Sequence, residues 1–149
     1  MKALLQKHLK NQKGLTLIEL LAVVVILGII AAIAIPSIGA IIDNTRKDAH
    51  IANAEQLINS VKTAKATNVG SKADNTYTLG ELVEAGLIED PDMPGNKGKY
   101  NQTTSLVKFD KDNKYNVTLI AATGGKTVIN NATVEELRGN DRRDKVVLP

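Results

Sequence analysis

"KGLTLIELLAVVVILG", Lys13 to Gly28, opens with a lysine and a glycine, turns apolar at Leu15 and carries one carboxylate, Glu19, into the apolar run. From Leu20 to Ile35 there are 16 consecutive residues with neither a charge nor a polar side chain. Uncharged residues continue to Ile42, enough for the about 20 that a helix needs to cross a bilayer. An acid at the centre of such a span costs roughly 2.5 to 3.5 kcal/mol, so Glu19 reads by default as a functional residue whose cationic partner has to be named. The bland reading is a membrane anchor in which Glu19 snorkels to the interface. A secretory signal is a second alternative, because Ala32-Ile33-Ala34 imitates an A-x-A cleavage site. The run outlasts the roughly 7 to 15 residues of a secretory apolar region, however, and that reading leaves Glu19 unexplained.

At 149 residues the chain is expected to fold as one small domain beside this span. Tyr77, Tyr100, Phe109 and Tyr115 are its aromatic residues, so the core must be mainly aliphatic. It has no cysteine. Small secreted domains are often stapled by disulfides, so this one must rely on packing, on its long helix or on neighbouring subunits.

The formal charge of +3 is unevenly placed. Lys2, Lys7, Lys10 and Lys13 precede the span with no acid among them, and without these four the chain's 19 basic side chains fall to 15 against 16 acidic ones. The basicity is therefore a topogenic signal rather than a nucleic-acid surface: lysines before a span hold the N-terminus in the cytoplasm and place the chain beyond Ile42 outside.

Past Ile42 the sequence turns polar, but no glycine or proline intervenes before Gly70. Ile51, Ala54, Leu57, Ile58, Val61 and Ala64 recur at spacings of three and four, while Lys47, Glu55, Asn59 and Lys62 take other faces. One helix is predicted from Leu15 to about Ala66, roughly 78 Å at about 1.5 Å per residue. Its second half is amphipathic and should carry a packed domain.

Between Val69 and Asn101 a loop-rich stretch is expected, with a short helix in "TLGELVEAGLI" that Thr78 caps and Gly86 closes. "DPDMPGNKGK" must be turn and loop. "SLVKFD", "KYNVTLIA" and "KTVIN" predict three antiparallel strands, joined through turns at Asp110 to Asn113 and Thr123 to Gly125. "TVEELRGN" suggests a helical turn, and Asp141 to Pro149 either a tail or an edge strand. The predicted fold is α+β, with a long N-terminal helix on a small antiparallel sheet.

Lys13-Gly14-Leu15-Thr16-Leu17-Ile18-Glu19 resembles the class III signal of type IV pilins and pseudopilins, a basic leader ending in glycine, then a hydrophobic residue and T-L-x-E. The resemblance covers Lys13 to about Pro36. It implies that a prepilin peptidase cuts after Gly14 on the cytoplasmic side, that Leu15 becomes an N-methylated terminus, and that the apolar segment is retained. Glu19 would then pair with the terminal amine of an adjoining subunit as copies leave the membrane for a helical filament. Pro36 also fits the family pattern. It lacks an N–H and crowds the preceding turn, so with Gly28 it marks a helix break at which related filaments unwind, or else a plain proline kink.

Leu15 stands where phenylalanine is commoner, and the lack of cysteine makes the chain similar to pilins of single-membrane, Gram-positive bacteria. The implied organisation is a cleaved leader over residues 1–14, a membrane and filament-core half-helix over 15–42, an amphipathic half over 43–68 and a head over 69–149. The implied partners are further copies of the chain, the prepilin peptidase, and the assembly platform with its ATPase. The implied location is the cytoplasmic membrane for the single-pass precursor and the cell surface for the pilus.

Other signals carry less. Gly125-Lys126-Thr127 matches the end of a phosphate-binding loop, but Ile120 stands where its first glycine is needed. Asp110 and Asp112 begin like a calcium loop, yet Lys114 and Tyr115 occupy the next ligand and glycine positions. Asp90 and Asp92 beside prolines read as solvated acids. His8 and His50 lack the companions that a metal site or a general base requires. Sequons at Asn101, Asn116 and Asn131 read as chance. Arg138, Arg142, Arg143 and Lys145 form a basic cluster diluted by Asp141 and Asp144, better read as a solvated face than as a DNA or host contact. No catalytic group, metal or cofactor is indicated. Three functions remain: a major pilin for adhesion or twitching motility, a pseudopilin for DNA uptake or secretion, and a membrane-tethered binding module that never assembles.

Overall fold

The computed structural model describes residues 2–70, 74–95 and 98–149, with side chains described from Thr16 onward. The chain divides into two compact units, Met1–Ile41 and Ile42–Pro149. A single helix, α1 (Lys2–Ala66), contributes to both and contains Pro36 without interruption.

In the second unit the α1 stripe predicted from periodicity is the one that packs. Ile51, Ala54, Leu57, Ile58, Val61 and Ala64 are all buried and join one core with the sheet residues. α1 ends through its own residues: Asn68 takes φ +56°, its N–H donates to Lys65 O at 3.3 Å, and Val69 N–H donates to Ala64 O at 3.0 Å. This pair of backward bonds satisfies carbonyls that the last turn leaves open, with asparagine tolerating the left-handed conformation.

Four strands rather than three form the sheet. β1 (Thr76–Thr78), β2 (Leu106–Phe109), β3 (Tyr115–Ile120) and β4 (Thr127–Thr133) lie in the order β1-β2-β3-β4, all antiparallel. β3 shows why it is a strand: Tyr115, Val117 and Leu119 are buried while Asn116, Thr118 and Ile120 between them are half-buried, the period-two alternation of a sheet with one packed face. The β2–β3 connection is a turn, as expected. Asp110 Oδ1 accepts the amides of Asp112 and Lys114, each at 2.9 Å, and Asn113 takes φ +60°. Gly124 and Gly125 supply the positive φ of the β3–β4 turn, so Gly125-Lys126-Thr127 is hairpin and not phosphate loop. β4 runs beyond "KTVIN" because it accommodates irregular register shifts against β3, with Asn131 at φ +47° and its amide donating to Thr118 Oγ1 at 3.2 Å.

Thr78 ends β1 and caps α2 (Leu79–Glu84) in a reciprocal box with Glu81. Gly86 closes that helix at φ +67°, its N–H on Val83 O while Leu87 N–H reaches Leu82 O. Thr133 and Glu136 repeat the same box for α3 (Val134–Arg138). The C-terminal segment, open between tail and edge strand in the sequence, is a 3-10 turn over Arg142–Lys145 followed by a short pairing onto β4. Val146 bridges Ile129, and Val147 N–H donates to Val128 O at 2.9 Å.

Candidate assembly site

The first unit is a helix whose apolar side chains face outward. Leu17, Leu20, Leu21 and Val24 through Ile42 leave their large apolar residues exposed, Ile33 by as much as 72%. Within Thr16–Ala66 lies a stretch long and apolar enough to cross a membrane. Glu19 is exposed on this oily surface. A carboxylate on a helix that is apolar all round needs a cation from outside the helix once water is removed. Gly14 and Leu15 fall within α1, but their side chains, like those of the leader lysines and His8, lie outside the described residues. Gly28 and Pro36 both lie in continuous helix, and a Cβ on Gly28 would meet nothing within 4 Å.

Residues 9–35 match the family model of the prokaryotic N-terminal methylation motif. This motif supports a type IV pilin or pseudopilin family for the chain. Neither the curated proteins nor the solved structures yield a match to the chain. The motif belongs to type IV pilins and pseudopilins alike, a structural and non-enzymatic family, and it implies processing by a prepilin peptidase and assembly into a polymer in general terms. An apolar N-terminal helix bearing it fits a membrane-anchored precursor. The α+β architecture, a long N-terminal helix with an antiparallel sheet, is that of a type IV pilin.

The basic cluster, read from the sequence as a solvated face, keeps its side chains partly exposed and is paired to carboxylates of the chain itself. Arg143 grips Asp48 of α1 with both Nε at 2.9 Å and Nη2 at 2.5 Å, and Arg142 Nε stands 3.4 Å from the same carboxylate. Arg138 Nε lies 2.7 Å from Glu55 Oε1, and Lys145 Nζ lies 2.7 Å from Glu136 Oε1. The hydrogen bond from Arg143 holds the Asp48 carboxyl below its ordinary range. Lys145, together with the Thr133 backbone, brings Glu136 down to about 2. The cluster therefore clamps the C-terminal segment onto α1. Asp90 and Asp92 likewise have a partner: Lys99 Nζ lies 2.9 Å from Asp92 Oδ1 and 3.7 Å from Asp90 Oδ2, which raises the Lys99 pKa.

His50, placed by sequence among polar neighbours, is fully buried. Its Nδ1 stands 2.6 Å from the Tyr100 hydroxyl, which accepts from Asn53 Nδ2 at 3.2 Å. Asn53 Nδ2 also reaches Asp92 O at 3.1 Å, tying Asp92 as well as Tyr100 to α1. Burial lowers the His50 pKa to about 4 and raises that of Tyr100 to about 12. His50 Nε2 has no partner among the described residues. Neutral His50, hydrogen-bonded through Nδ1 to the Tyr100 hydroxyl, is thus a packing element. Among the described residues no group of three or more His, Cys, Asp or Glu side chains is placed to hold a metal ion.

Proposed function

We propose that the chain is the structural subunit of a type IV pilus filament serving adhesion or twitching motility. The prepilin peptidase cuts after Gly14, Leu15 becomes the N-methylated terminus, and the 15–42 half-helices of many copies form the filament core beneath a surface of heads. Glu19 neutralises the Leu15 amine of an adjoining copy. In a low-dielectric core two opposite charges a few ångströms apart attract far more strongly than in water. Removing one partner of a buried pair costs about 3 to 5 kcal/mol, which favours the correct axial stagger over other registers. Gly28 and Pro36 mark where the core helix can open in the assembled state. The leader lysines keep the N-terminus inside, and the assembly platform and its ATPase extract the processed subunit.

The observation that carries this reading is the methylation motif laid over an outward-facing apolar helix, with Glu19 as its one carboxylate between Thr16 and Ile42. Intact-mass spectrometry of material sheared from cells tests it. A species beginning at Leu15 with one added methyl is expected. A precursor mass confined to the membrane fraction would point instead to a tethered module that never assembles.

A further inference from the structure

The head separates its charges along α1. From Glu81 to Gly95 the sequence holds Glu81, Glu84, Glu89, Asp90 and Asp92 and no lysine or arginine. Around the β2–β3 turn, Lys108, Lys111 and Lys114 face solvent, and Lys62 and Lys65 of α1 stand over the Tyr115 and Phe109 rings at 5.3 and 4.5 Å. Three hydrogen bonds fix the level of each group on the helix. Asn53 reaches Asp92 O, Ser60 Oγ donates to Leu87 O at 3.2 Å, and Lys65 Nζ donates to Asn113 Oδ1 at 2.5 Å. The acidic loop therefore lies beside Asn53 to Ser60 and the basic turn beside Lys65. From Ser60, which holds Leu87 between Glu84 and Glu89, to Lys65 the axial displacement is roughly 7.5 Å at about 1.5 Å per residue.

Pairing within the chain accounts for part of these charges only. Lys99 answers Asp90 and Asp92, but Glu84 and Glu89 are exposed and make no ion pair among the described residues. The same holds for Lys108, Lys111 and Lys114. Asp110 turns its carboxylate onto its own turn's amides, which leaves the outward charge of that turn mainly basic.

We propose that these two surfaces meet between copies of this chain, the basic β2–β3 turn of one subunit against the Glu84 and Glu89 surface of the next. This contact rests on the filament reading above. In the parallel, axially staggered packing that the filament reading requires, this contact is heterologous and repeats from each subunit to the next.

The test is charge exchange in the full chain, with sheared fibre measured from cells. Glu84→Lys with Glu89→Lys should lower fibre yield about tenfold, as should Lys111→Glu with Lys114→Glu, and combining all four should restore it. Recovery in the fourfold variant excludes misfolding, since it carries every substitution. Undiminished fibres in either double variant, or a fourfold variant no better than the weaker double, would overturn the contact while leaving the filament reading intact. Wild-type cells that shed no processed fibre would sink both.

Discussion

The Tyr100 hydroxyl lies 2.6 Å from Nδ1 of His50, a residue 50 positions earlier in the chain, and both side chains are fully buried. The pairing fixes Tyr100 on α1 and makes the head sensitive to acid. His50 has its pKa lowered from 6.5 to about 4 by burial, so between these values the unfolded chain binds more protons than the folded one. Stability is full above pH 6.5 and is lost as pH falls toward 4, by up to about 3 kcal/mol over a shift of this size. Thermal unfolding of the full chain in detergent, followed by circular dichroism across this range, should show the decline. His50→Gln should flatten it.

Asp48 joins the C-terminal 3-10 turn to α1 through Arg142 and Arg143. The pairs are partly exposed, so Asp48→Ala should lower stability by only about 1 kcal/mol. The local effect should be clearer. The Val147 amide, bonded to Val128 O, should exchange with deuterium markedly faster in the variant, and an unchanged rate would mean that Val146 burial alone holds the segment.

Thr78 stands at the junction of β1 and α2 and accepts the Glu81 amide. Thr78→Ala should cost about 1 kcal/mol, the usual worth of such a cap. Leu57→Ala, in the buried stripe of α1, should cost about 2 to 5 kcal/mol because it opens a cavity where helix meets sheet. Chemical denaturation of the two variants should reproduce this order.

What the sequence made legible was local. The α1 stripe could be read because Ile51 to Ala64 repeat at helical spacing, and the Thr78 cap and the Asp110 turn because each is made by residues within four positions of one another. β1 escaped because Thr76-Tyr77-Thr78 is three residues long and exists as a strand only through its pairing with Leu106 to Lys108. The end of α1 was anticipated, but not the left-handed Asn68 that turns the chain there. The clamp on Asp48 escaped for the same reason as the His50–Tyr100 pair: Arg142 and Arg143 lie 94 and 95 residues from it, and no local pattern brings them together. The methylation motif over residues 9–35 was legible because it is contiguous.

Glu19→Ala should insert and be cut normally, since neither membrane insertion nor the Gly14 site needs a carboxylate. Assembly should suffer, because the amine of Leu15 would then be buried without a counter-charge. Quantifying sheared fibre against processed subunit retained in the membrane separates the two steps. Normal fibre yield would remove the role given to Glu19.

The most direct measurement is a high-resolution map of the native polymer. Each chain in it should begin at Leu15, with the Glu19 carboxylate within about 4 Å of the terminal nitrogen of a neighbouring copy. A chain still carrying its first 14 residues, or a Glu19 facing lipid or solvent with no cationic group beside it, would contradict the assembly mechanism.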